Sequence, residues 1–381
     1  MKAFKHLLDF EEGHFPLAKQ VFGINPASAM PIDVPLLSRI CEAPGAPGSE
    51  KAIRTLVLAE LKGLADDVRT DNLGNVIALK KGRSSGKKTM AAAHMDEIGF
   101  IVTHVDDKGF IRFNPVGGFD PKALTAQRVI IHGRKDIVGV MGSKPVHIMT
   151  VEEKTKVPQI KDYFIDVGMP KKDVEKVVAV GDFVTRHSPL MELGACVNVK
   201  SLDNRASVFV LLETLRELKR SKRKPAYDFH AVFTVQEEVG LRGAQASTLQ
   251  IQPDFSFGLD TTIAYDIPGS TPQEQCTALG EGAAIKLMDA SVISDYRMIE
   301  FMKAAAKRHK IKWQAEILAC GGTDTASMQR MVGGGSIAGA VSIPTRHIHQ
   351  SIESCHKEDL AACILLLAAC VCELDQHDWS F

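Results

Sequence analysis

Several short segments of this chain place imidazole or carboxylate groups where an apolar run stops. Thr89-Met90-Ala91-Ala92-Ala93 ends in His94-Met95-Asp96-Glu97, and the run from Phe229 to Val235 leads into Gln236-Glu237-Glu238. Phe255 to Leu259 ends on Asp260, and Ile337 to Ile343 leads through Pro344-Thr345-Arg346 to His347-Ile348-His349. Asp203 opens a helical pattern after a long stretch of different character. If each run is a strand of an open α/β sheet, these groups stand beyond the carboxyl ends, where such sheets bind ligands. So many carboxylates on one rim would repel one another, and a cation is the physical remedy. Histidine nitrogen with Asp/Glu oxygen suits zinc or another borderline divalent ion. Singly, these residues carry little weight in a chain with thirteen histidines. Their joint placement carries the signal, and the residues alone leave a metal site and a set of solvated charges both open.

Other chemistries find no support. There is no His-Glu-x-x-His helix and no Gly-x-x-x-x-Gly-Lys loop. Gly333-Gly334-Gly335 lacks the dinucleotide-binding spacing and reads as a turn.

The elements that must position these groups are read from periodicity. Ile53, Leu56, Leu58, Leu61 and Leu64 recur at helical spacing after Ser49-Glu50. Residues 68–70 and 75–79 read as strands across the turn Asn72-Leu73-Gly74, and 89–93 is apolar on both faces, as a central strand is. Further strands are expected at 229–235, 255–259, 283–288 and 337–343. Helices are expected at about 203–219, after Leu241, at 295–309 and from Lys357. The alternation predicts an α/β fold, a mainly parallel sheet with helices on both faces. Between Gly99 and about Asp182 short strands and turns replace helical periodicity, apart from a short helix after Pro170. That predicts an inserted small all-β barrel. The predicted organisation is an N-terminal extension at 1–32, a catalytic α/β domain at 33–98 and 185–381, and a barrel at 99–184.

Forty-six Lys and Arg balance forty-six Asp and Glu, so no global field draws in nucleic acid or an anionic membrane. The longest apolar run, Leu360 to Cys372, is too short for a bilayer span of about twenty residues and reads as a buried helix. The first residues show no apolar signal-peptide core. The eight cysteines include no Cys-x-x-Cys pair. Both features lead us to expect reduced thiols in a cytoplasmic protein.

As a set, these segments resemble the M42 family of metallo-aminopeptidases, relatives of the M28 and M20 zinc hydrolases, over about residues 33–381. The resemblance rests on Ala93-His94-Met95-Asp96-Glu97-Ile98-Gly99, Leu202-Asp203-Asn204-Arg205 and Gln236-Glu237-Glu238-Val239-Gly240. Gly258-Leu259-Asp260, Gly321-Gly322-Thr323-Asp324 and Arg346-His347-Ile348-His349 complete it. It implies two divalent metal ions per subunit, zinc first and cobalt or manganese as alternatives, with Asp203 bridging them. His94 and Asp260 would complete one site, and Glu238 and His349 the other. Glu237 would be the catalytic base, Asp96 would hold the His94 imidazole, and Asp324 and Arg346 would face the substrate. A cis peptide at Asp203-Asn204, peptide substrates and a homo-dodecamer are also implied. His347 stands where the family usually has tyrosine, and Gln350, Cys320 and the N-terminal extension depart from its pattern as well.

The activity implied is removal of N-terminal residues from peptides. The alternatives are a related metal-dependent amidohydrolase acting on N-acyl amino acids, and a non-enzymatic metal-binding scaffold. The endoglucanase label that some members carry would need an acid/base pair beside a sugar. Nothing outside the metal carboxylates marks one.

Overall fold

The computed structural model describes residues 30–381; all but the last three positions of the expected extension lie outside the described residues. At the centre of the main sheet four strands run parallel, in the order Asp228–Thr234, Lys88–His94, Phe255–Ile263, Ile337–Arg346. Their sequences are Ala-, Val- and Phe-rich on both faces, and almost every residue is buried. Gly258 and Gly339 lie out of alternation with each other on neighbouring strands. A Cβ on Gly258 would strike Thr325, and one on Gly339 would strike Met298 and Met302. The helices Asp324–Arg330 and Tyr296–Arg308 therefore cover opposite faces.

The flanks correct the expectation of a mainly parallel sheet, because the sheet is mixed. Asp67–Thr70 and Val76–Lys80 form an antiparallel hairpin that joins Asp228–Thr234 antiparallel. On the other side Glu353–His356, Cys196–Val199 and Met191–Leu193 add antiparallel strands. Ala283–Met288 also runs antiparallel to Ile337–Arg346. The cause is connection length. Short turns force the antiparallel pairing of Asp67–Thr70 with Val76–Lys80 and of Met191–Leu193 with Cys196–Val199, whereas Ala283–Met288 and Trp313–Ile317, separated by the helix Tyr296–Arg308, pair parallel. Asp71 closes the first hairpin by accepting the backbone N–H groups of Leu73, Gly74 and Asn75.

The helix Leu202–Arg220 packs against Lys357–Glu373 beneath the sheet. Lys357–Glu373 contains the Leu360–Cys372 run and is buried nearly all round, so it needs no polar stripe. No helix among the described residues is long and apolar enough to cross a membrane. All eight cysteines are free thiols.

After His94 the chain leaves the sheet and forms a closed six-stranded barrel, in the order 99–105, 111–116, 164–166, 136–142, 128–132, 183–186. Phe100, Val102, Ile111, Val129, Ile131, Ile165 and Val184 fill it. The barrel returns through Phe183–Arg186, and the chain then re-enters the sheet at Met191–Leu193. Barrel and sheet belong to one unit, Ile32–Phe381.

Candidate metal centre

The parallel strands end level with one another, since Thr234 pairs with His94 in register and Asp260 lies opposite Ser342. His94 and Asp260 thus arrive at one rim directly from the sheet. Glu237 and Glu238 follow two residues beyond Val235, after Gln236 turns into the left-handed region at φ 55°. Asp203 enters from below, on the first turn of Leu202–Arg220, preceded by Ser201 at φ 62°. The Asp203-Asn204 peptide is cis. His349 enters from the loop after Ile337–Arg346, where both His347 and His349 have positive φ, 63° and 64°. Non-glycine residues in this region are uncommon, and here they adjoin the polar rim.

The side chains converge. His94 Nε2 lies 3.3 Å from Asp203 Oδ1 and 3.8 Å from Asp260 Oδ1. His349 Nε2 lies 3.3 Å from Asp203 Oδ2 and 3.6 Å from Glu238 Oε2. Asp203 therefore presents one oxygen to each imidazole. Donors held by a tetrahedral zinc at about 2.0–2.1 Å stand roughly 3.3–3.4 Å apart, close to the separations seen here. Glu237 Oε2 is 3.8 Å from His94 Nε2, so Glu237 belongs to the same cluster. Glu238 Oε1 is buried and has no hydrogen-bond partner among the described residues, which leaves it available to a cation. The donor set fits a divalent metal. His347 is exposed and outside the cluster; the chain turns at both histidines, so strict alternation does not carry them to the same side.

Electrostatics say the same. Burial pushes Glu238 and Asp260 each up to about 8, with Asp203 adding to both. Burial also lifts Glu237 well above the usual range, His94 opposing and the surrounding carboxylates reinforcing it. Burial disfavours charge on the imidazoles, but Asp203 hydrogen-bonds His349 and raises it to about 9. Glu237 and Asp203 likewise raise His94 well above its ordinary value. Burial opposes charge on Asp203 too, yet His349 and His94 hold it well below the carboxylate range. Carboxylates crowded and buried in this way are ones whose charge a divalent ion would offset, in place of the protons.

Around these groups lie carboxylates that hold backbone. Asp96 accepts the N–H groups of Glu237 and Glu238 through its two oxygens, each at 3.1 Å. The His94 ring is held by the Asp96 carbonyl, 3.1 Å from Nδ1, while the nearer carboxylate oxygen is 3.5 Å away. A proton on Nδ1 leaves the Nε2 lone pair facing the cluster. Glu97, missed in the sequence, is buried against Lys200 Nζ at 2.7 Å and hydrogen-bonds Ser201. Glu353, also missed, accepts the N–H of Asp203 at 2.9 Å and that of His349 at 3.0 Å. Burial pushes Glu353 up to about 7, with Arg186 pulling it down.

A cavity of about 680 Å³ opens over the cluster; Gly118, Phe119 and Asp120 of the barrel form part of its wall, with Thr261, Lys286 and Thr323 among the other lining residues. Asp324 and Arg346, expected against substrate, are not among its lining residues. Asp324 is buried behind the rim, where its Oδ2 accepts the Thr234 hydroxyl at 2.5 Å. Arg346 makes a two-point ion pair with Asp266, at 2.6 and 2.7 Å. An arginine committed to a carboxylate in this way has its planar face of donors already engaged.

Fold and donor set together define a metal-dependent hydrolase built on an α/β sheet. The chain belongs to the family described as M42 glutamyl aminopeptidase, whose sequence model matches residues 74–366. A putative aminopeptidase of Acetivibrio thermocellus is 38% identical over 88% of this chain and 98% of its own. The solved structure of an aminopeptidase from the archaeon Desulfurococcus kamchatkensis is 36% identical, with TM-score 0.85, covering 89% of this chain and 94% of its own. The TET1 peptidase of Pyrococcus horikoshii, described as assembling into a tetrahedron or a large octahedral shell, is 29% identical with TM-score 0.80. It covers 89% of this chain and 99% of its own. This chain is therefore a metallo-aminopeptidase by family.

Proposed function

We propose that the cluster holds two divalent ions, zinc in the first instance with cobalt or manganese as alternatives. With them the chain would hydrolyse the N-terminal residue from peptides, with Glu237 as general base. The observation that carries this reading is the division of Asp203 between His94 and His349 at equal 3.3 Å separations. On this reading, as the family resemblance implies, Asp203 serves with His94 and Asp260 on one side and with His349 and Glu238 on the other. Glu237, which stands as near to His94 as Asp260 does, is given the role of base. When bound, such ions would acidify a water and polarise a scissile carbonyl. Glu237, which lines the cavity, would take the proton of the attacking water and deliver it to the leaving amine. Asp96 fixes where that carboxylate can go, because it holds the Glu237 and Glu238 amides together.

Glu237→Gln is the direct test. It should retain metal and lose turnover by about 10²–10⁴-fold, the usual worth of a placed acid/base group. Near-parent peptidase activity in that variant would remove the base assignment. Free-amine peptides assayed against their N-acyl counterparts separate an aminopeptidase from a deacylase, and the reading requires the free amine. Self-association into a twelve-subunit cage is proposed from the relatives that form shells, and light scattering on the full chain measures it. A cytoplasmic location is proposed from the free thiols.

A further inference from the structure

Glu353 and Arg186 take no part in the chemistry above. Glu353 is completely buried and gives each oxygen to the backbone N–H of a proposed ligand residue. Both carboxylate oxygens are thereby used as acceptors. A glutamine would turn a donor toward one of the two amides. Arg186, the last residue of the barrel strand Phe183–Arg186, is also buried. Among the described residues none of its guanidinium nitrogens has a hydrogen-bond partner, and one lies 3.8 Å from Glu353 Oε1. A buried cation is costly unless an opposite charge faces it, and Glu353 is that charge. The guanidinium also stands 5.9 Å from the ring of Phe119, which lines the cavity and stacks on Phe100 in the barrel core. A second tie lies close by, since Ser351 hydrogen-bonds the barrel residue Gln127.

We propose that Glu353 is a positioning residue that sets Asp203 and His349 together, and that Arg186 holds it in place. The inserted barrel thereby fixes the geometry of the metal centre. This rests on the metal reading of the previous section. The alternative is an ordinary ion pair that only adds stability.

The test uses the full chain, stripped of metal and titrated with Zn²⁺ or Co²⁺, with thermal melts of the metal-free proteins as a check on folding. Glu353→Gln should weaken binding of at least one ion by about 10–100-fold, the usual effect of removing a ligand's support. Arg186→Met should weaken it several-fold, and Arg186→Lys, which keeps the charge, should recover most of the loss. With saturating metal, kcat should fall while KM changes little. Folded variants that bind both ions as the parent does overturn this inference and leave the metal reading standing. So does an Arg186→Lys variant no better than Arg186→Met. A parent that binds no divalent ion overturns both. Should Glu353→Gln not fold, the Arg186 pair decides alone.

Discussion

The two halves of the cluster share Asp203 and differ in almost everything else. The His94 half is sealed: its imidazole side chain is 2% exposed, and Asp260 and Glu237 crowd it. It hangs from a central strand, and just beyond it Glu97 is clamped by Lys200 and Ser201. The His349 half is open. Its imidazole is 37% exposed and sits on a loop whose backbone is held by Glu353. A Cβ on the barrel's Gly118 would lie 3.6 Å from that ring, so the barrel loop packs directly over it. One half takes its geometry from the central strands, the other from a loop held by Glu353 at the sheet's flank and packed against the inserted barrel. A ligand rooted in a strand is positioned by the core, whereas one on a loop needs its own supports.

Removing each imidazole puts that comparison to a direct test. His94→Ala leaves buried carboxylates facing one another, so activity should vanish and the metal-free melting temperature should change markedly. His349→Ala should abolish activity as well, yet keep one ion and melt close to the parent. Calorimetry with metal analysis on both variants checks this. Equal effects on melting would mean that the halves are not built differently.

A smaller effect follows from protonation. In the metal-free protein Glu238 and Asp260 are raised to about 8 and His349 to about 9. A group raised on folding contributes stability that is present below its unfolded pKa and lost as pH rises through the folded one. Metal-free stability should therefore decline from about pH 6 to pH 9, because all three groups titrate in that direction. Asp203, held low, adds a contribution that does not vary in that range. Metal binding requires the same protons to leave, so affinity rises over the window. The gap in melting temperature between loaded and stripped protein should widen with pH. A gap that narrows would show that other groups dominate.

What the sequence disclosed follows the same division. His94, Glu237, Glu238 and Asp260 were legible because each closes an apolar run, and a strand end has one destination in a parallel sheet. The barrel was legible because helical periodicity lapses from Gly99 onward. Of the antiparallel flanks the hairpin and the strand Ala283–Met288 were legible, but not the strands on the other side, since one such as Glu353–His356 is four residues long and carries Glu, Ser and His. Glu353, Glu97 and Arg186 were hidden for a related reason. A buried charge looks like a solvated one until its partner, more than a hundred residues away in the chain, is seen beside it. The substrate-facing expectation for Arg346 met the same obstacle, because Asp266 could not be recognised as its partner from spacing.

The most direct measurement of the central claim is the number of divalent ions per chain, by elemental analysis and anomalous scattering from crystals grown with zinc. The account predicts two ions, with Asp203 between them, His94 and Asp260 on one, and His349 and Glu238 on the other. A single ion, or two that do not share Asp203, would contradict it.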